Sequence, residues 1–229
     1  MNNEFESTGY PYIVSDSEVK NRVLRNTYWL LALSMVPTVL GAWIGVVTGI
    51  TQSIGTMGGI LMLVIAIGGI FVIEKTKDTI TGVYALLGFT FFMGLMLSRL
   101  IATVLGFKNG AELVMTAFGG TAGVFFLMAS LSTVIKRDLS SMGKWLFVGV
   151  LMLMAGSLIN MFVGSSTGML VISVASIGIF SAYMLYDLKQ IVDGGETNYI
   201  SATLTLYLDI INVFQSLLAL LGIFGGERE

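Results

Sequence analysis

The sequence predicts an all-α fold, a polytopic membrane bundle of seven transmembrane helices. Three observations carry that expectation. Hydrophobic residues make up 55% of the 229 residues and charged residues only 11%, whereas a soluble domain carries about 25% charged residues. The mean hydropathy is +0.87. The apolar residues fall into seven runs, each near the ~20 residues needed to cross ~30 Å of hydrocarbon. Several chemistries are excluded at once. With no Cys and no His, there is no disulfide, thiol nucleophile, thiolate metal site, His-based zinc site or His-containing triad. A response to pH near neutrality must therefore come from carboxyl groups. A net charge of −2 gives no reason to expect a nucleic-acid partner.

Residues 1–25 are polar and of mixed charge, with no apolar core, and lack the basic start and apolar run of a signal peptide. They read as a cytosolic N-terminal tail ahead of a seven-helix transmembrane domain over 26–226, with a short helix starting near Asp16-Ser17-Glu18 and running into the first span. The first span is expected over about 27–48, bent at Pro37. The others follow over about 56–73, 80–105, 111–135, 144–163, 168–192 and 200–224. Connections are short, so neighbouring helices should be antiparallel. Placing the N-terminus in the cytosol and the C-terminus outside puts nine basic residues on the inner side and three on the outer, Arg99, Lys108 and Arg228. The expected location is a bacterial inner membrane. Three GxxxG spacings, Gly41–Gly45, Gly55–Gly59 and Gly119–Gly123, would allow close helix approach, although 28 glycines make chance matches common.

Of the 14 acids, 12 fall in the tail, at segment ends, in loops or at the C-terminus. The two left inside spans are Asp187 and Asp209. A carboxylate in hydrocarbon costs several kcal/mol unless it is paired, protonated or wetted, so an intramembrane acid is a functional-site candidate. Counted from a turn centred near Gly195-Glu196, the two lie at depths of about 12 and 20 Å, a mismatch of about 7 Å. If they meet, they cannot easily ionise together and would share one proton. Losing that proton would set two like charges against each other and loosen the bundle. The ionised pair would also offer hard oxygen ligands to a passing calcium ion. The bland alternative is a single aspartate bonded to a neighbouring helix or to a lysine. Lys75 and Lys77 are the candidates, and either could equally be part of the latch.

Other intramembrane polar residues are Asn160, Asn212 and Gln215. Most such amides are interhelical glue contributing about 0.6 kcal/mol; Asn160 and Asn212 are candidates to line a pore. Arg99 is expected to snorkel outward or to pair with Glu112. Neither aspartate sits in a Gly-Asp setting: Asp187 is in Tyr-Asp-Leu and Asp209 in Leu-Asp-Ile. An intramembrane aspartyl protease is thereby disfavoured, and the chain is not expected to be an enzyme.

At Tyr186-Asp187-Leu188-Lys189-Gln190-Ile191 and Leu206-Tyr207-Leu208-Asp209-Ile210-Ile211-Asn212 the chain resembles the Bax inhibitor family of seven-span membrane proteins. Lys136-Arg137-Asp138-Leu139-Ser140 is similar to that family's loop between the fourth and fifth spans. Leu24-Arg25-Asn26-Thr27-Tyr28 and Gly194-Gly195-Glu196-Thr197-Asn198-Tyr199-Ile200 are similar to its proteobacterial branch, which modulates a membrane-anchored AAA-type protease. The resemblance implies that Asp187 and Asp209 form the latch, with a basic partner at the start of the third span, here Lys75 or Lys77. Arg99 stands where many members carry proline.

Two functions follow as expectations. The first is a pH-sensitive calcium leak channel gated by the two aspartates, with calcium as the transported ion, a transient ligand of the pair, and no permanently bound cofactor. The alternative is a regulatory binding protein of a membrane AAA-type protease, engaged through the N-terminal tail. In both, the lipid bilayer is the standing partner.

Overall fold

The computed structural model describes residues 16–52 and 54–226. Every regular element in them is a helix: α1 (Asp16–Thr48), α2 (Thr56–Thr76), α3 (Ile80–Leu105), α4 (Gly110–Val134), α5 (Met142–Val163), α6 (Ser166–Asp193) and α7 (Tyr199–Gly225). All seven are long and apolar enough to cross a membrane. Large apolar side chains such as Trp29, Phe71, Trp145 and Phe162 point outward with more than two-thirds of their surface open, as a lipid-facing surface requires. The chain is a multi-pass membrane protein.

The first helix begins at Asp16, where a helix running into the first span is expected; residues 16–25 and the span form one helix, with Pro37 inside it. The rest of the expected tail, residues 1–15, lies outside the described residues. The other helices begin and end within a few residues of the apolar runs, because a span's length is set by the hydrocarbon it crosses.

α7 is the most buried helix and α2 the least. α7 packs on α6 most extensively and also on α1, α3 and α4, while the largest helix pair is α1 with α3. Since α1, α3 and α7 run in one direction, the core is three parallel helices, with α6 laid antiparallel along α7.

The α1–α3 contact is built on small residues. A Cβ on Gly41 would strike the Phe91 carbonyl oxygen, and one on Gly94 the Thr38 carbonyl oxygen; one on Gly45 would strike the Ser98 hydroxyl. Backbone touches backbone there, which is the use of a small-xxx-small pattern in a membrane. The other two GxxxG spacings are not crossings. A Cβ on Gly55, Gly119 or Gly123 meets nothing within 4 Å, and one on Gly59 meets only a methionine methyl at ordinary contact distance.

Candidate functional site

The site is assembled where α6 turns into α7. α6 stops at Gly194, whose φ of 85° places it in the left-handed region. Gly195 and Glu196 then donate their N–H groups to the Gln190 carbonyl at 2.8 and 3.1 Å, satisfying the end of the helix. α7 starts at once, because the Asn198 side chain accepts from the N–H groups of Ile200 at 2.9 Å and Ser201 at 3.3 Å. This is the N-cap geometry that asparagine favours.

The tight turn sets the depth of the aspartates. Asp187 lies six residues before the last residue of α6 and Asp209 ten residues after the first of α7, at depths of about 9 and 15 Å. Helical side chains lean toward the N-terminus of their own helix. In antiparallel helices that lean is convergent: Asp187 leans deeper and Asp209 leans back toward the turn. The remaining offset is closed, and the two carboxyl groups lie within hydrogen-bonding reach of each other. The Thr205 hydroxyl, one helical turn before Asp209, is also within reach of Asp187.

Their surroundings differ. Asp187 is half-buried and lines a cavity of ≈ 250 Å³ together with Tyr186, Gln190, Glu196 and Thr205. Because Gly195 and Glu196 belong to the turn, the cavity lies at that end of the bundle. Asp209 sits behind it, only 4% exposed, with its Oδ2 buried and without a hydrogen-bond partner among the described residues. Two carboxylates in contact repel unless a proton lies between them. Among the described residues no group of three or more acidic side chains could enclose a metal ion. The pair would supply only part of the six to eight oxygens calcium takes.

The lysine candidates lie elsewhere. Lys77 donates to Glu74 at 3.0 Å, and that hydrogen bond and charge raise its ammonium above the usual lysine value of 10.5. A raised folded-state value means the pair's contribution is fully present below the unfolded value and is lost only as pH rises through the folded one. It does not titrate near neutrality. Lys75 is exposed. The cation nearest to Asp187 in sequence, Lys189, is 7% exposed and donates to Asp193 at 2.7 Å. Arg99 pairs with neither aspartate nor Glu112 in the described contacts: its guanidinium donates to the Ile54 carbonyl of the α1–α2 loop at 3.1 Å. Asn212, one turn beyond Asp209, donates to the Leu208 carbonyl of its own helix at 2.7 Å. Asn160 lines a separate groove of ≈ 360 Å³ between α5 and α6, beside Ser165 and Gly168.

Two features escaped the reading of the sequence. The first is a polar clasp that docks the α2–α3 turn on the α6–α7 turn. Asn198 Nδ2 donates to the Lys77 carbonyl at 3.1 Å and to Asp78 Oδ1 at 2.9 Å, and the Ser201 hydroxyl donates to Glu74 at 3.2 Å. The second is Tyr207. Fully buried, it shares a hydrogen bond of 2.9 Å with the Thr38 hydroxyl, donates to the Thr90 carbonyl at 3.3 Å and stacks edge-on against Phe89. An inventory of intramembrane hydroxyls, rather than of charges and amides alone, would have included Thr38 and Tyr207; Thr90 takes part through its backbone carbonyl, which no side-chain inventory shows.

The profile of the family described as inhibitor of apoptosis-promoting Bax1 matches residues 20–226, nearly the whole described chain. The chain belongs to the Bax inhibitor family. Relatives of this family member include an uncharacterized membrane protein of Vibrio cholerae, 37% identical over 208 residues, covering 90% of this chain and 92% of the relative. The protein of Escherichia coli K12 named modulator of FtsH protease YccA is 36% identical over 202 residues, covering 88% of this chain and 90% of its own. A protein of Neisseria meningitidis serogroup A, 34% identical over 212 residues, covers 91% and 93%. In this Bax inhibitor family member both motifs that carried the resemblance, 186–191 and 206–212, lie on the α6–α7 pair that holds the aspartates.

Proposed function

We propose that this chain is a regulatory binding protein of the inner membrane that modulates a membrane-anchored AAA-type protease. The observation carrying this reading is end-to-end similarity, 36% over 88% of the chain, to a protein named as a modulator of the FtsH protease. The test is co-purification with the protease, together with the half-life of one of its membrane substrates. Full-length chain should retain the protease and lengthen the half-life. Removing residues 2–15, which precede α1, should abolish both effects while all seven helices remain. If no protease co-purifies with the full chain and the substrate half-life does not change, this reading is wrong.

A second reading rests on a separate observation, the contact of Asp187 with Asp209 at the back of a cavity. We propose it as a pH-sensitive calcium leak with the pair as its latch: protonated, the pair ties α6 to α7, and ionised, it pushes them apart. Calcium flux into proteoliposomes should rise with pH for the wild type. It should lose most of that dependence in both Asp187→Asn and Asp209→Asn, since a neutral amide keeps hydrogen-bonding capacity without a titrating charge. A pH-dependent flux that survives both substitutions would count against the latch.

A further inference from the structure

A further groove lies away from the aspartates. It measures ≈ 680 Å³ and runs between α1, the start of α3 and the start of α7. Its inner wall is apolar, from Leu33, Val83, Tyr84, Leu87 and Tyr199, and its rim is polar, from Lys77, Asp78 and Asn198. From the rim at Asp78 to Leu87 is a little over two turns of helix, a reach of about 13 Å. That is the distance from the headgroup layer into the upper acyl region. Tyr84 is 67% and Ile80 70% exposed, so the groove opens sideways on the lipid-facing surface, not toward the interior of the bundle.

The rim carries both signs. Lys77 offers an ammonium with N–H donors beyond the one given to Glu74. Asp78 is exposed and accepts Asn198 through Oδ1, leaving Oδ2 to accept a second donor. The rim thus presents one cation and one acid side by side. A ligand bearing only negative charge leaves Asp78 unmatched. A choline headgroup brings a cation with no N–H to give to Asp78. A phosphate followed by a primary amine meets Lys77 with the first group and Asp78 with the second.

We propose that this groove binds a zwitterionic phospholipid with a primary-amine headgroup, its phosphate on Lys77, its ammonium on Asp78 and one acyl chain along Val83 and Leu87. The occupant would bridge α1, α3 and the α6–α7 turn, bracing the end of the bundle where the clasp is formed.

Native mass spectrometry of the delipidated full chain, given equal amounts of phosphatidylethanolamine, phosphatidylglycerol and phosphatidylcholine, tests this. The wild type should retain one phosphatidylethanolamine in preference to the others by about fivefold, the size of one exposed charge pair. Asp78→Asn keeps an oxygen to accept from Asn198, so the clasp persists, and the headgroup preference should vanish. Leu33→Trp fills the groove from the α1 side and should lower retention of all three lipids. Equal retention of the three by the wild type, a preference for either of the others, or a preference unchanged in Asp78→Asn would overturn the proposal.

Discussion

Tyr207 shows what a single hydroxyl does at the centre of this bundle. It lies in the same motif as Asp209 but serves other helices: its oxygen joins α7 to Thr38 on α1 and to the Thr90 carbonyl on α3. Thr38 also donates to the Ser34 carbonyl at 2.8 Å, so it does not lose every partner if the tyrosine hydroxyl is removed. Tyr207→Phe should therefore destabilise the protein by about 1–2 kcal/mol, the net size of two such hydrogen bonds, read as a lowered thermal unfolding midpoint in detergent. A loss well above ~3 kcal/mol would mean that the hydroxyl does something beyond these bonds. The aspartates were legible in the sequence because charge in an apolar run stands out. Their contact was not, since counting residues left about 7 Å to close and the convergent lean of the side chains closes it. Lysine pairing was equally out of reach: Lys77 lies at the level of the turns, short of the aspartates, and pairs with Glu74 one helical turn earlier.

At the scale of elements, the decisive joint is α1 on α3. Three GxxxG spacings look alike in the sequence, yet one alone is a crossing, because the pattern permits close approach without supplying a partner. Here the partner surface is Gly94 with Ser98, a small-xxx-small pair that a search for glycine alone passes over. Any branched side chain at Gly94 drives into the Thr38 carbonyl. Gly94→Val should cost about 1–3 kcal/mol or prevent folding, as overpacking does, whereas Gly119→Ala and Gly123→Ala, with open space beyond the new methyl, should not lower the unfolding midpoint. Melting the three variants side by side in one detergent separates these outcomes. Equal losses in all three would show that glycine backbone freedom, not crossing distance, matters at these sites.

At the scale of the whole molecule, hydropathy gave the number and bounds of the spans because the bilayer imposes one length on every helix. It gave much less about their arrangement. In a soluble protein the apolar face of a helix points to the core. Here lipid and core are both apolar, so Phe71, which faces out, and Leu86, fully buried, look alike in the chain. The arrangement is instead written in polar and small residues: Tyr207 with Thr38, Gly41 with Gly94, and Asn198 with Asp78. The last is a contact over 120 residues of sequence that no local pattern announces.

The half-buried Asp187 lines a cavity at the α6–α7 turn, and the sealed Asp209 lies against it. A carboxyl pair reached from one end has a single compartment as its reference. On the latch reading proposed above, acidity or a cation would be sampled on the side where that turn lies, and a change confined to the opposite side would have to cross the membrane before it registered. The way the chain is threaded into the bilayer would then choose which of two solutions works the latch.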